Sequence, residues 1–428
     1  MVKPPGPFKT PPHLPLPGSP QPEPDPGAAP TFQRAPIVPA APRLSASARS
    51  AIPAFDVMRI TGRVEQLRAE GRDVISLSAG EPRPRAIPGQ IRPAGYTSTL
   101  GTPHLREAIA GHYRAWYGVE VDPRRVAVTT GSSGAFQLGF LAAFNPGDRV
   151  ALVSPGYPAY RNILTALGVR VAEIATTLET RYQPTPELLA AEVRENGPIQ
   201  GLVLASPSNP TGTMVSRAQL QALVAWCARN GVRLVSDEIY HGITYPEAGA
   251  ADPRGVSAAE FGSEHLVINS FSKYWGMTGW RLGWALMPED LAGPIEALAS
   301  NFSLSPPAPA QQVALDAFSP ESYADRDDVV TGFARARGFL LDAAPSLGWG
   351  DAAPADGAFY YYADLGQQLE RFGDSRGYAS ALLEEAGVAV VPGVDFDPTH
   401  GHRTVRLSFA GGEAALAEAI DRILAFQR

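Results

Sequence analysis

Short apolar segments alternate with helical patterns between about residue 100 and residue 270, and this alternation restricts the fold more than any other feature. The apolar segments cover residues 126–129, 150–153, 201–204, 232–235 and 266–269. Nearly continuous apolar strands that are separated by helices are typical of parallel sheets with both faces covered. We therefore predict an α/β fold whose mostly parallel sheet is covered by helices.

A helix start precedes the first of these strands. Thr102 stands in a capping position, and Pro103 follows in the first turn, where proline fits a helix. Leu105 and Ile109 then follow at helical spacing. A second helix is predicted at 135–144, directly after the first strand.

The pattern changes after about residue 320. A long helical pattern covers residues 325–343, and another closes the chain at 413–426. Apolar segments between them, at 358–362, 388–391 and 404–409, predict strands. We expect a smaller α+β domain in this part of the chain.

We predict that the chain consists of three parts. Residues 1–46 are rich in proline, alanine and serine and lack any helical or strand period, so they are interpreted as a disordered leader. Residues 81–320 are assigned to a large domain. The small domain is assigned to residues 47–80 together with 321–428.

Composition excludes several classes of protein. The 428 residues carry a net charge of -7 without a basic cluster, which disfavours a nucleic-acid partner. Cys227 is the only cysteine, so an internal disulfide is impossible. No apolar run reaches the ~18 residues of a spanning helix, and no signal-peptide pattern is present. A cytoplasmic protein without membrane contact is expected.

Lysine is almost absent, and its placement indicates chemistry. Lys3 and Lys9 lie in the leader, and the only other lysine is Lys273, within Ser-Phe-Ser-Lys-Tyr. Arginine stays charged in proteins, whereas a lysine amine can lose its proton and become a nucleophile. An amine kept at this one position favours Schiff-base chemistry, with an ordinary surface lysine as the alternative.

Polar segments follow the predicted strands at their carboxyl ends, where ligands bind in such sheets. Ser132 and Ser133 lie in a Gly-Ser turn before a helix, which suits a phosphate, although such turns also occur for steric reasons. Asp237 follows a buried strand, where a carboxylate either caps a helix or needs a cation or a strong donor. Asn209 either forms a turn or presents an amide donor.

Two further residues extend this set. Tyr240 lies one helical turn after Asp237, on the same side. Arg281 follows Lys273 by eight residues in a Gly-bounded loop. A guanidinium can hold a phosphate through two parallel hydrogen bonds, and the alternative is a surface ion pair.

Together these segments resemble the class I/II aminotransferases, the pyridoxal-phosphate enzymes of fold type I in the aspartate aminotransferase superfamily. They occur in one order: Gly-Ser-Ser-Gly, Asn-Pro-Thr-Gly, Asp-Glu-Ile-Tyr, Ser-Phe-Ser-Lys and Met-Thr-Gly-Trp-Arg-Leu-Gly. The resemblance covers about residues 50 to 428. It implies pyridoxal 5'-phosphate as the cofactor, bound by the large domain, and no metal.

The resemblance also implies a role for each matching residue. Lys273 would form the Schiff base with the cofactor and carry a proton between the substrate Cα and the cofactor. Asp237 would pair with the pyridine nitrogen. Tyr240 and Asn209 would hydrogen-bond the phenolic oxygen of the ring, and Tyr157 would stack on it. Phosphate binding would fall to Ser132, Ser133, Ser270, Ser272 and Arg281.

Three more matches concern substrate and partner. Arg406 corresponds to the arginine that clamps the substrate α-carboxylate, with a strand-edge ion pair as the alternative. Gly80 matches a backbone position close to the same carboxylate. Tyr96 matches a tyrosine that reaches the phosphate of the neighbouring subunit, so a homodimer with shared active sites is implied.

The sequence departs from the family pattern at two places. Residues 83–90 are short and proline-rich where relatives carry a longer segment with a helix, so the entrance to the site is expected to differ. Some aspartate-preferring relatives carry a lysine near position 133, where this chain has Ser133, and this disfavours that subgroup.

The leading hypothesis is an aminotransferase that moves an amino group between an α-amino acid and a 2-oxo acid. The alternative is a β-eliminating C-S lyase of the same fold, which would use the same residues. A transcription regulator would need a DNA-binding domain that 46 leader residues cannot supply. An inactive scaffold is disfavoured because each expected cofactor position is filled. The sequence leaves the donor and the acceptor open.

Overall fold

The computed structural model describes residues 56–78, 80, 82, 95–245 and 252–428. Contacts along the chain separate Met1–Ala46 from a compact unit, Ser47–Arg428, which is the one considered below. The predictions for the leader, residues 1–46, and for the segment 83–90 lie outside the described residues.

The described part of the chain contains α-helices and β-strands in alternation. The helices are α1 (Asp56–Ala69), α2 (Pro103–Tyr117), α3 (Gly131–Ala143), α4 (Pro158–Ala166), α5 (Pro186–Asn196), α6 (Arg217–Asn230), α7 (Glu289–Phe302), α8 (Ala308–Ala314), α9 (Pro320–Ala343), α10 (Gln368–Phe372), α11 (Ser375–Ala386) and α12 (Glu413–Gln427). The strands are β1 (Ile75–Ser76), β2 (Val126–Thr130), β3 (Arg149–Ser154), β4 (Arg170–Ala175), β5 (Gly201–Ala205), β6 (Arg233–Asp237), β7 (Leu266–Ser270), β8 (Leu282–Leu286), β9 (Tyr360–Asp364), β10 (Val388–Ala389), β11 (Val391–Pro392) and β12 (Thr404–Ser408).

Seven strands form the main sheet, in the order β2-β8-β7-β6-β5-β3-β4. Strand β8 runs antiparallel to both of its neighbours, and every other pair in this sheet is parallel. Leu202 and Leu204 belong to one hydrophobic cluster, whereas Val203 between them belongs to another. Because side chains alternate between the two faces of a strand, both faces are buried. The predicted mostly parallel, covered sheet is confirmed.

The sequence patterns located five of the seven strands of the main sheet and missed β4 and β8. β4 lies at the edge of the sheet, where only some of its side chains are buried, so it lacks the continuous apolar run of the central strands. β8 contains Gly283 and directly follows the loop after Lys273, and it was assigned to that motif. Thr102 occupies the capping position of α2, but its side chain makes no capping hydrogen bond. Its backbone N–H donates to Gln311 Oε1 at 2.8 Å instead.

Two small sheets lie in the C-terminal part of the chain. β9, β12 and β11 form an antiparallel sheet with β12 in the centre. β1 pairs with β10 in parallel and so joins the N-terminal segment to this region. Within the described residues, the helices are too short or too polar to cross a membrane.

Gly283 allows β8 to lie close to the start of α3. A Cβ atom at this position would lie 2.6 Å from Ser132 N, 2.8 Å from Gly131 C and 2.9 Å from Asn269 O. These neighbours are backbone atoms, so no change of side-chain rotamer relieves the contact. Only glycine lets the helix start this close to the sheet.

We expect Gly283→Ala to destabilise the cofactor-free protein by about 1–3 kcal/mol, because the backbone of β8 or α3 has to move. Gly279→Ala is the matched control, since a Cβ there meets no atom within 4 Å. Urea unfolding followed by circular dichroism measures both. Equal stability of the two variants would contradict the role of Gly283 in this packing.

Candidate active site

The predicted polar segments meet at one cavity of about 410 Å³. Strands β5 and β6 are parallel neighbours, so the residues that follow them lie at the same edge of the sheet. The site residues predicted from sequence that line the cavity are Gly80, Ser132, Ser133, Tyr157, Asn209, Asp237, Tyr240, Ser272, Lys273, Arg281 and Arg406.

Two predicted residues do not line this cavity. Ser270 is fully buried, and its hydroxyl lies 2.9 Å from Ser272 Oγ and 3.1 Å from the carbonyl oxygen of Leu282. It therefore supports the loop that carries Ser272. Tyr96 is 87% exposed on the surface of the chain.

Asp237 ends the central strand β6 and is 4% exposed. Tyr160 donates a hydrogen bond from its hydroxyl to Asp237 Oδ2, and the backbone N–H of Ile239 donates to Oδ1 at 3.1 Å. Burial raises the pKa of Asp237 to about 7, although these two bonds and the charge of Lys273 oppose the rise. A cation placed next to this carboxylate would favour its ionised form.

The neighbouring acid, Glu238, is buried but directed elsewhere. Its carboxylate accepts hydrogen bonds from Ser257 Oγ at 2.7 Å, Ala258 N at 2.8 Å and Ser236 Oγ at 2.9 Å. These bonds hold the following loop against the end of β6. Of the two acids, only Asp237 faces the cavity.

Lys273 lies in the loop after β7 and is partly buried. Its Nζ donates to the carbonyl oxygen of Gly80 at 2.8 Å and lies 5.8 Å from the centre of the Tyr240 ring. The single amine of the cavity is thus held near Tyr240 by a backbone acceptor.

The ring of Tyr157, at the start of α4, lies 5.4 Å from that of Tyr160.

Arg281 and the start of α3 form a cationic end of the cavity. Arg281 adopts a left-handed backbone conformation, with φ of 51°, and donates to Thr278 O at 2.9 Å. A Cβ on Gly131 would lie 2.6 Å from Arg281 Nη2, so glycine lets the guanidinium contact the first turn of α3. Free N–H groups of a helix start beside a guanidinium suit an anion such as a phosphate.

Arg406, in the middle of β12, is 2% exposed. It donates to Asn209 Oδ1 at 2.8 Å and to Ser78 O at 2.6 Å, and its buried Nε has no hydrogen-bond partner in the described part of the chain. No carboxylate of the described residues forms an ion pair with it. A buried guanidinium in this state fits an anionic ligand, because an unpaired buried charge is costly.

Two tyrosines that line the cavity were not singled out from sequence. Tyr160 lies three positions after Tyr157 on α4, and this helical spacing was a usable signal. Tyr360, in β9, lies with its hydroxyl 2.7 Å from that of Tyr240. No local pattern marks Tyr360, because it reaches the cavity through strand pairing far along the chain.

These groups fit a phosphorylated aromatic aldehyde. The cavity provides one amine, a buried acid for a ring nitrogen, tyrosine rings and an anion site at a helix start. The fold and the cavity together define a pyridoxal-phosphate enzyme of fold type I.

The chain belongs to the aminotransferase class I and II family, whose model matches residues 85–423. It is 45% identical over 386 residues to a valine–pyruvate aminotransferase of Mycobacterium tuberculosis, a match that covers 88% of this chain and 96% of that protein. It is 33% identical over 375 residues to an aspartate/prephenate aminotransferase of Thermus thermophilus, covering 85% and 93%.

Solved structures give the same result. An aminotransferase from Mycobacterium tuberculosis superposes with a TM-score of 0.83 at 42% identity, covering 90% of this chain and 99% of that one. Aspartate aminotransferase from Thermus thermophilus superposes with a TM-score of 0.80 at 30% identity, covering 90% and 100%.

The protein is therefore a pyridoxal-phosphate-dependent aminotransferase that acts on amino acids and 2-oxo acids. The comparisons give no support to the C-S lyase alternative. Among the described residues, no group of three or more His, Cys, Asp or Glu is placed to hold a metal ion.

The raised pKa of Asp237 predicts a pH-dependent effect of Asp237→Asn on the cofactor-free protein. In the folded chain this acid ionises near pH 7 and in the unfolded chain near 4, so its burial lowers stability increasingly as the pH rises between these values. Asn avoids this loss. The stability gain of the variant should be larger at pH 8 than at pH 5, by at most about 3 kcal/mol.

Urea unfolding of both proteins at the two pH values measures this difference. Glu238 titrates in both proteins and cancels in the comparison. With cofactor bound, the Asp237→Asn variant should instead be less stable than the unaltered protein, because Asn carries no charge to pair with a protonated ring nitrogen. If the difference in stability between the cofactor-free proteins does not depend on pH, the raised pKa of Asp237 is contradicted.

Proposed function

We propose that this enzyme transfers the amino group of a neutral, aliphatic amino acid, with valine as donor and pyruvate as acceptor. The name of the 45% identical relative supports this substrate pair. The observation that carries the aminotransferase assignment is that one cavity contains two cationic groups. One is the single amine of Lys273, and the other is the buried guanidinium of Arg406, which has no ion-pair partner among the described residues.

The charges of the cavity support a neutral side chain. Among its described lining residues, the cationic ones are Lys273, Arg281 and Arg406. In the proposed arrangement Lys273 binds the cofactor, Arg281 its phosphate and Arg406 the substrate α-carboxylate, so no described cation remains for a second carboxylate. Val57 and Phe396, which also line the cavity, offer apolar contacts.

Each residue has a defined task in this proposal. When bound, pyridoxal phosphate accepts the amino group and the electron pair of the Cα–H bond and returns both to the oxo acid. Lys273 binds the cofactor and, once released, moves the proton at Cα. Asp237 keeps a proton on the ring nitrogen through charge pairing. Tyr240 donates to the phenolic oxygen.

The remaining residues bind and orient. Asn209 already uses its amide oxygen to accept from Arg406, so its N–H groups serve a ligand oxygen. Arg406 holds the α-carboxylate close to the backbone of Gly80. Tyr157 packs on the ring face. The phosphate falls to Ser132, Ser133, Ser272 and Arg281, with Ser270 holding Ser272 in place.

The substrate pair is tested by steady-state assays of the loaded enzyme. We expect a kcat/KM for valine with pyruvate at least about tenfold above that for aspartate with 2-oxoglutarate, since an unpaired buried carboxylate costs more than 1.4 kcal/mol. Lys273→Ala should abolish turnover with both pairs. Borohydride reduction and peptide mapping should place the cofactor on Lys273 in the unaltered enzyme.

A preference for aspartate would overturn the neutral-substrate assignment. A cofactor label on Lys3 or Lys9 alone would overturn the role of Lys273.

We also propose that the active enzyme is a homodimer with shared sites. Tyr96 is 87% exposed, Phe302 66% and Leu304 58%, and large apolar side chains this exposed favour a protein contact. Gln311 donates to Thr97 Oγ1 at 3.0 Å and so fixes the segment beside Tyr96. In the dimer, Tyr96 would reach the phosphate bound by the other subunit.

Two further assignments stay proposals. The large domain, 81–320, would hold the cofactor, and the small domain, 47–80 with 321–428, would carry Gly80 and Arg406. A cytoplasmic location is in keeping with one cysteine in 428 residues.

Mixed dimers of Lys273→Ala and Tyr96→Ala subunits test the sharing. If Tyr96 serves the neighbour, one site of the mixed dimer has both an intact Lys273 and an intact Tyr96, and activity recovers above that of either parent. If Tyr96 serves its own subunit, no site is intact. Sedimentation should give twice the 45.4 kDa of the chain. Proven mixed dimers without recovery would contradict the proposal.

A further inference from the structure

Tyr360 contacts two functional parts of the cavity at once. It is 2% exposed, and its hydroxyl lies 2.7 Å from the hydroxyl of Tyr240. The guanidinium carbon of Arg406 lies 4.4 Å from the centre of its ring. One side chain therefore joins the residue proposed at the cofactor's phenolic oxygen to the residue proposed at the substrate carboxylate.

Strand pairing and a glycine fix this position. In the register of β9 and β12, Arg406 pairs with Tyr362, so Tyr360, two residues away, lies on the same face as Arg406. A Cβ on Gly80 would lie 1.9 Å from the Tyr360 hydroxyl oxygen, so only glycine leaves room for this hydroxyl. The carbonyl of Gly80 also accepts from Lys273 Nζ.

We infer that Tyr360 is a positioning residue that couples carboxylate binding at Arg406 to the hydrogen bond from Tyr240 to the cofactor. The inference rests on the proposed function, because it uses the roles given there to Tyr240 and Arg406. A tyrosine hydroxyl has one donor and two acceptor positions. If Tyr240 donates to the cofactor, its oxygen accepts from Tyr360, and the two bonds polarise each other.

The charge of Arg406 gives this chain of bonds a direction. A cation near the Tyr360 ring makes its hydroxyl a stronger donor, which strengthens the bond from Tyr240 to the cofactor oxygen. A substrate carboxylate neutralises that charge and weakens both bonds. The phenolic oxygen of the cofactor becomes more negative when the lysine–cofactor linkage loses its proton. A weaker hydrogen-bond donor stabilises this deprotonated form less, and the pKa of the linkage therefore rises.

The surroundings of Tyr360 allow this coupling. Among the described residues, the titratable or charged groups that face it are Tyr157, Tyr240 and Arg406, with Lys273 reached through Gly80. Burial, and then the neighbouring Tyr360, raise the pKa of Tyr240 well above its usual value. Tyr240 therefore keeps its proton and remains a donor.

The test is a pH titration of the dimeric holoenzyme, followed by the absorbance of the lysine–cofactor linkage. It is done with and without 3-methylbutanoate, a carboxylate that resembles valine but has no amino group. Tyr360→Phe removes one hydroxyl and keeps the ring. We expect it to raise the midpoint by about 0.2–0.7 pH unit and to reduce the shift caused by 3-methylbutanoate by about half.

Tyr361→Phe is the matched control. Tyr361 follows in the same strand on the opposite face, where its ring stacks on Trp349 at 6.5 Å. The Tyr361→Phe substitution should leave the midpoint unchanged.

In a Tyr240→Phe background, Tyr360→Phe should add no further shift of the midpoint, because the effect of Tyr360 passes through Tyr240.

The outcomes separate this inference from the proposed function. The inference alone is overturned if Tyr360→Phe changes neither the midpoint nor the shift caused by 3-methylbutanoate. It is also overturned if Tyr360→Phe still shifts the midpoint fully in the Tyr240→Phe background. If the cofactor of the unaltered enzyme is not attached to Lys273, the proposed function and this inference both fail.

Discussion

The burial of the Asp237 carboxylate at the end of β6 is the constraint on which the rest of the site depends. Burial raises the pKa of this group to about 7 even against the hydrogen-bond donors and the cation around it, so its ionised form depends on those groups and on any further cation. The groups that stabilise the ionised carboxylate are the Tyr160 hydroxyl from α4, the N–H of Ile239 and the charge of Lys273. The strand order places β7 and β5 beside β6, with β3 next, so the loops that carry these groups begin at the same edge.

A second constraint is close approach, which glycine permits at the rim of the cavity. Gly131 lets the guanidinium of Arg281 lie against the first turn of α3, and Gly80 lets the hydroxyl of Tyr360 reach Tyr240. Two guanidinium groups, those of Arg281 and Arg406, thus line the cavity that also contains the amine of Lys273. This arrangement suits a reaction in which a phosphorylated cofactor stays bound while carboxylate substrates exchange.

Much of this architecture could be predicted from the sequence, and the failures have physical reasons. The central strands were found because both of their faces are buried, which forces a continuous apolar run. Edge strand β4 and the Gly-containing strand β8 lack that run. The side chain of Thr102 makes no cap, and its backbone N–H donates to Gln311, a partner more than two hundred residues away. Ser270 was expected at the cavity, but its hydroxyl is used within its own loop.

Local patterns in the sequence were enough to predict the chemistry. A single amine outside the leader, an acid after a buried strand and a Gly-Ser turn before a helix are local patterns, because each depends on residues adjacent in the chain. The burial of Arg406 beside Asn209, and the position of Tyr360 between Tyr240 and Arg406, follow only from the three-dimensional structure. These contacts join residues far apart in sequence, and they form only when the strands of both sheets have found their register.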